Sequence, residues 1–257
     1  MSFLYALIAT LIVSLIPFVV VLPFLKKEMN HAVLLTLMSF AVGTLLGTVF
    51  LNFLPESFEH LSAQMVAILA VGGFVAFIII EKIIHAHHEM DHNHEHNHEH
   101  HHEIHSHAYH LAPLNLIADG LHNFIDGIVI GVSFLVSVPV GIATTVSIAL
   151  HELPQEIADF GILLYAGYSK KKAILYNALS GALAFAGTAL AFLLSHYVEN
   201  FHDYFLPVGA GIFIYIAAAN LVPELHRGCG WRESVLHIGA VVVGFLVILG
   251  ISLIFAH

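Results

Sequence analysis

Apolar residues in this chain neither alternate nor recur every third or fourth position; they run on in long stretches separated by short polar breaks. The stretches lie near residues 2–25, 32–54, 63–84, 111–136, 139–168, 173–195, 205–225 and 234–256. A helix needs roughly 20 such residues to cross about 30 Å of hydrocarbon, and it satisfies its own backbone while doing so. The pattern predicts an all-α integral membrane protein with eight transmembrane helices. Its first run lacks the basic n-region and small-residue cleavage site of a signal peptide, and so reads as a retained helix.

Composition agrees, with 58% hydrophobic and 10% charged residues and a mean hydropathy of +0.87. A surface meeting only water does not carry so little charge. The formal net charge of −10 arises from loops and from two unusually polar spans, so it argues for no basic partner and excludes nucleic acid as a natural one. All eight Lys and Arg residues (Lys26, Lys27, Lys82, Lys170, Lys171, Lys172, Arg227, Arg232) fall at the breaks after the first, third, fifth and seventh spans. By the positive-inside rule that side is cytoplasmic, which places both termini outside, or in a lumen.

The chain thus divides into 1–84 (helices one to three), a cytoplasmic His-rich loop at 85–110, 111–168 (helices four and five) and 169–257 (helices six to eight). Helix two ends in Asn52-Phe53-Leu54-Pro55-Glu56 and helix seven in Asn220-Leu221-Val222-Pro223-Glu224. Under this topology the two ends lie on opposite faces, as expected if helices 1–3 and 6–8 form an inverted repeat around helices 4–5, a 3+2+3 arrangement. Pro-Glu as an ordinary helix terminator is the plainer alternative.

Chemistry concentrates in helices four and five. Asp119, His122, Asn123 and Asp126 stand at i, i+3, i+4 and i+7, and His151, Glu152, Gln155 and Asp159 at i, i+1, i+4 and i+8, each set on one helix face; Glu156 adds a further carboxylate. A rise of about 1.5 Å per residue puts His122 and His151 about 15 Å and about 12 Å from the inner face, near the midplane of the bilayer. An Asp there costs about 2.5–3.5 kcal/mol, so such a cluster calls for pairing, hydration or a cation. A polar staple between two helices needs fewer ionisable groups. Pro154 removes one backbone hydrogen bond, which predicts a local opening of helix five beside these residues. With a single cysteine, Cys229, disulfides and multi-cysteine metal motifs are excluded. Imidazole with carboxylate suits Zn2+ first, with Fe2+, Mn2+, Co2+ and Cd2+ as competitors.

On these residues the chain resembles the ZIP (Zrt/Irt-like) metal transporters, in particular the subfamily with HNFxDG in the fourth helix and HExPHExxDF in the fifth. Here the motifs stand as His122-Asn123-Phe124-Ile125-Asp126-Gly127 and His151-Glu152-Leu153-Pro154-Gln155-Glu156-Ile157-Ala158-Asp159-Phe160. The eight spans and the His-rich loop match too, so the resemblance covers nearly the whole chain. It implies import of metal into the cytosol from outside or from an organelle lumen, with no enzymatic step. It further implies a primary site of His122, Asp126, His151 and Gln155, with Asn123 and Glu152 on its second side. Two positions depart from the pattern. Gln155 replaces the subfamily's second His, and Ala184 or Phe185 stands where some relatives carry a Glu in helix six. An amide oxygen in place of an imidazole shifts the site toward harder ions.

Thirteen of the 22 histidines lie in 85–110. His92, His94, His96, His98, His100, His101 and His102 head a low-complexity run expected to be disordered without metal and to bind zinc as a local buffer or sensor. At the outer side, Glu56, Glu59, His60, Glu199, His202 and Asp203 are placed to concentrate cations, or are simply solvated loop charge. Gly43-xxx-Gly47 and Gly127-xxx-Gly131 permit close helix packing and leave room for a homodimer within the lipid bilayer. Among rival functions, an intramembrane zinc hydrolase is suggested by His151-Glu152, but Gln155 breaks the HExxH signature. A cation exporter or a membrane metal sensor requires the same ligands with different transport. From this reading follows alternating access, with the ion entering at the outer mouth and leaving toward the His-rich loop.

Overall fold

The computed structural model describes residues 1–15, 31–92, 103–225 and 230–255, and all regular structure among them is helical. The helical segments are α1 (Ser2–Ser14), α2 (His31–Thr48, a π turn over Val49–Phe53, then Leu54–His60), α3 (Ala63–His92), α4 (Glu103–Val136) and α5 (Val138–Tyr165). They continue as α6 (Lys170–Gly181 and Leu183–Tyr197), α7 (Phe201–Tyr215, a π turn over Ile216–Leu221, then Val222–Leu225) and α8 (Trp231–Phe255).

Among the described residues six helices are long and apolar enough to cross a membrane, over Ala32–His60, Ala63–Ile83, Asn115–Val136, Lys170–Tyr197, Phe201–Ala219 and Trp231–Ile254. Two of the expected spans differ from these. α1 is a shorter apolar helix of 13 residues, and the rest of the expected first span lies outside the described residues. α5 is long enough at 28 residues, but Glu152, Glu156 and Asp159 interrupt its second half. α3 and α8 present whole apolar faces outward (Ile68, Val71, Val75 and Ile79; Ile238, Val242, Val243 and Leu246). Unbroken exposed apolar faces of this kind are tolerated in lipid and not in water.

Pro154 does not open α5: the helix runs unbroken through it, as α4 does through Pro113. The loss of one donor is absorbed within the turn. Irregularity sits instead in α2 and α7, in the two Asn-x-x-Pro-Glu segments. Leu54 N–H bonds the Val49 carbonyl and Val222 N–H bonds the Ala217 carbonyl, one residue further back than in an α-helix. Pro55 and Pro223 follow immediately, and the widened turn relieves the clash each ring would make with the carbonyl four residues before it. Within the expected His-rich loop at 85–110, residues 85–92 continue α3 and residues 103–110 open α4, while 93–102 lie outside the described residues.

Helices pair as α4 with α6, α2 with α8 and α3 with α7, with α5 lodged between α4 and α2. The α4–α6 contact is set by two glycines in reciprocal positions: a Cβ on Gly127 would fall on the Ala184 carbonyl, and one on Gly187 would fall on the Phe124 carbonyl. Backbones this close exchange dispersion and Cα–H···O contacts that lipid does not offer. The α2–α8 and α3–α7 pairs show the same reciprocal arrangement. Thr188 ties the first pair to α1, its hydroxyl donating to the Gly127 carbonyl (3.0 Å) and meeting Thr10 Oγ1 (2.7 Å).

Gly127→Ala is expected to destabilise the fold by about 1–3 kcal/mol through overpacking. Gly72→Ala, where nothing lies within 4 Å, should be nearly neutral. Thermal unfolding of the two variants in detergent, followed by size-exclusion chromatography, checks the contrast.

Candidate metal centre

The polar face of α4 meets that of α5 in the interior of the bundle. His122, Asp126, His151 and Glu152 are each at least nine-tenths buried and turn one ligand atom apiece toward a common point. His122 Nε2 lies 3.3 Å from Glu152 Oε1 and 3.7 Å from Asp126 Oδ2. His151 Nε2 lies 3.2 Å from Asp126 Oδ2 and 3.5 Å from Glu152 Oε1, and the two Nε2 atoms are 3.1 Å apart. A regular tetrahedron with its corners about 2.0–2.1 Å from the centre has edges of about 3.3–3.4 Å, and those radii are the zinc–imidazole and short zinc–carboxylate distances. The five edges therefore scatter around the size that a four-coordinate zinc ion requires.

Neighbouring groups hold the ligands in this attitude. His151 Nδ1 faces the Ser147 carbonyl at 3.2 Å; a carbonyl can only accept, so Nδ1 carries the proton and Nε2 keeps its lone pair for a metal. Ser147 is itself held by α2, its hydroxyl donating to the Thr44 carbonyl (3.0 Å) and meeting Thr48 Oγ1 (2.6 Å). Phe77 of α3 stands edge-on to the His122 ring (5.7 Å between centroids) and Phe213 of α7 to that of His151 (6.2 Å). Both Asp126 carboxylate oxygens and Glu152 Oε1 are buried without a hydrogen-bond donor, and α4 and α5 contain no Lys or Arg.

The remaining candidates fall into place around this set. Asn123 is buried, with its amide donating to Asp119 Oδ1 (2.8 Å) and to the Asp119 carbonyl (3.1 Å), so its nitrogen serves its own helix. Gln155 is half-buried and lines a cavity of about 280 Å³ together with His122, Asp119, Asp159, Asn115, Phe77 and Glu81. Asp119 and Glu156 group with Glu152 as a second cluster of buried carboxylates. Asp159 accepts from Asn115 Nδ2 at 2.9 Å. Glu56, Glu59 and His60 cluster at the surface. His92 ends α3, while His94, His96, His98, His100, His101 and His102 lie outside the described residues.

Asn115, Phe77, Phe213, Ser147 and Asn177, whose Nδ2 donates to the Glu156 carbonyl (3.4 Å), were not singled out from sequence. Asn115 was within reach, since it extends the polar face of α4 back by one turn from Asp119. The aromatic residues carry no such signal in a chain where apolar residues are everywhere.

Comparison with known proteins agrees with the motifs. The family model described as "ZIP Zinc transporter" matches residues 2–110 and 86–252. The human zinc transporter ZIP6 is 42% identical over 154 residues, covering 57% of this chain and 20% of ZIP6. The zinc transporter zipt-7.2 of Caenorhabditis elegans is 33% identical over 93% of this chain and 63% of its own length. The zinc transporter YKE4 of Saccharomyces cerevisiae is 32% identical over 86% and 70%. The chain thus spans about a fifth of the length of ZIP6 and most of YKE4. With a family model matched along nearly its whole length, the chain belongs to the ZIP zinc transporter family.

Proposed function

We propose that the protein carries zinc across a membrane into the cytosol through the site formed by His122, Asp126, His151 and Glu152, with Gln155 and Asn123 beside it. The observation that carries this reading is the set of four buried ligand atoms at tetrahedral spacing between two helices. Two neutral imidazoles and two carboxylates offset the charge of one zinc ion, so the loaded site is formally neutral and stays inside the bundle at low electrostatic cost. Relatives named zinc transporters in yeast, worm and human support the same choice of substrate.

Eight spans with the site near the midplane is the topology this function needs, with α1 and α5 crossing alongside the six apolar helices. The matched π turns of α2 and α7 support reading α1–α3 and α6–α8 as an inverted repeat. So do the glycine contacts: Gly43 precedes Asn52 by the same distance along the chain as Gly211 precedes Asn220, and each of these glycines packs on a partner helix backbone. Alternating access follows from an asymmetry around the site. Toward one end, the cavity runs from His122 past Asp119 to Asn115, Asp159 and Glu81, the end that also carries Lys82, Lys170, Lys171 and Lys172 and is cytoplasmic by the positive-inside rule. Toward the other end, Val49, Phe53, Ile130, Val132, Phe134, Val140, Ile148, Leu206 and Phe213 pack into a buried core. This is the arrangement of a carrier sealed outside and accessible inside. The hydrolase alternative lacks support, because Glu152 is committed to the ligand set and Gln155 stands where a second zinc-binding His is required.

Zinc-65 uptake into proteoliposomes is expected to fall by about tenfold or more in His151→Ala and Asp126→Ala, and to persist when residues 93–102 are deleted. Wild-type rates in both point variants would rule the site out. X-ray absorption at the zinc edge on the loaded wild type should show two nitrogen and two oxygen ligands at about 2.0–2.2 Å; a shell of four or more imidazoles would place the metal in the His-rich segment instead.

A further inference from the structure

We propose that Asp119, Glu152 and Glu156 form a second, all-oxygen divalent-cation subsite, which receives the ion from the tetrahedral site before it reaches the cavity. One oxygen from each lies within 4.8 Å of the others. Pairs of oxygens around one ion with bonds of about 2.0–2.4 Å lie about 2.8–3.4 Å apart when adjacent and up to about 4.0–4.8 Å apart when opposite, so a trio within 4.8 Å is compatible with one hard cation among them. Glu152 belongs to both sets, and is therefore the shared ligand across which an ion can pass without being released.

The argument is one of charge. A zinc ion at the tetrahedral site offsets Asp126 and Glu152 and nothing more. Asp119, Glu156 and Asp159 remain, 3%, 1% and 8% exposed, on helices that contain no Lys or Arg. Amides reach two of them: Asn123 donates to Asp119 Oδ1 and Asn115 to Asp159 Oδ1. Among the described residues neither of the Glu156 carboxylate oxygens nor Asp119 Oδ2 accepts a hydrogen bond within 3.5 Å, Asn177 donating instead to the Glu156 backbone carbonyl and Ser180 to the Leu116 carbonyl. Unpaired carboxylates in such a setting cost several kcal/mol each, more than a packing role returns. A divalent ion between Asp119 and Glu156 cancels both. Asp119 also lines the cavity, so the subsite stands between the tetrahedral set and the way out. Oxygen ligands alone hold zinc less tightly than imidazole does and suit harder ions such as Mn2+ better, which is the property a release station needs. The set does not draw on Asn123, whose amide nitrogen is already spent on Asp119.

The hand-over role rests on the transport reading, but the existence of the subsite does not, and the test separates them. Mn2+ binding to the full-length protein in nanodiscs is followed by the electron paramagnetic resonance of free Mn2+, with zinc first added to fill the imidazole sites. Wild type is expected to bind one Mn2+ equivalent whose affinity drops at least tenfold in Asp119→Asn and in Glu156→Gln. His151→Ala should keep that equivalent while losing the tight zinc ion. Unchanged Mn2+ affinity in both carboxylate variants, or no Mn2+ bound by wild type because the carboxyls hold protons, overturns the proposal. Electron spin echo modulation on the wild type alone gives a second reading that no variant's folding can disturb. Absence of 14N coupling on the bound Mn2+ supports an oxygen-only site, and strong 14N coupling sinks it. Weakened Mn2+ binding in Asp119→Asn and Glu156→Gln, together with zinc uptake unaffected by His151→Ala, would sustain the subsite and remove the transport site.

Discussion

Buried carboxylates without basic partners are the constraint around which this molecule is organised. Asp119, Asp126, Glu152, Glu156 and Asp159 lie on two adjacent helices, and nothing in those helices carries a permanent positive charge. In a low-dielectric interior such groups repel one another and forfeit hydration, which is the cost that a cation in the proposed site would offset. The surrounding features then make sense as supports. Ser147 fixes the tautomer of His151, α2 fixes Ser147, and Phe77 and Phe213 stand edge-on to the two imidazoles.

Without a hydrophobic force between helices in lipid, something else must hold α4 and α5 in register. Reciprocal glycine contacts brace α4 from one side, Gly127 against the Ala184 carbonyl and Gly187 against the Phe124 carbonyl, so that α6 packs on α4 beside Asp126. The Thr48 hydroxyl braces α5 through Ser147, and the Thr10 hydroxyl braces α6 through Thr188. Gly127 thus serves two ends: it follows a metal ligand in sequence, and its missing Cβ sets the distance at which the helix carrying that ligand is supported.

Much of this could be read from the chain. Polar residues stand out sharply against an apolar background, so the two polar faces that hold His122, Asp126, His151 and Glu152 were legible by spacing, although the family resemblance puts Gln155 and not Glu152 in the primary set, and the same contrast located the helices. What remained hidden follows from the same physics. α5 reads poorly as an apolar span because Glu152, Glu156 and Asp159 lie in its second half. The π turns left a trace in the repeated Asn-x-x-Pro-Glu, but a proline by itself does not say whether a helix ends, bends or widens; Pro154 was expected to open α5 and does not, whereas Pro55 and Pro223 follow widened turns. Tertiary contacts decide between these outcomes, and they are not local in sequence. Phe77 and Phe213 were invisible for the converse reason, being apolar residues among apolar residues.

The dimensions of the site bear on which ions it suits. Ligand atoms 3.1–3.7 Å apart enclose an ion with bonds of about 2.0–2.2 Å, whereas calcium takes six to eight oxygens at about 2.3–2.6 Å and magnesium demands an octahedral shell at about 2.0–2.1 Å. Both imidazoles weigh further against these hard ions. Gln155 works in the opposite direction, because a third imidazole at that position would deepen the zinc well, while an amide facing the cavity leaves the side from which the ion departs weakly coordinating. Tight, four-atom capture and a soft way out are competing demands on a carrier. On the proposed reading they would be met by different parts of the same two helices, with two imidazoles and two carboxylates in one set, carboxylates alone in the other, and Glu152 in both.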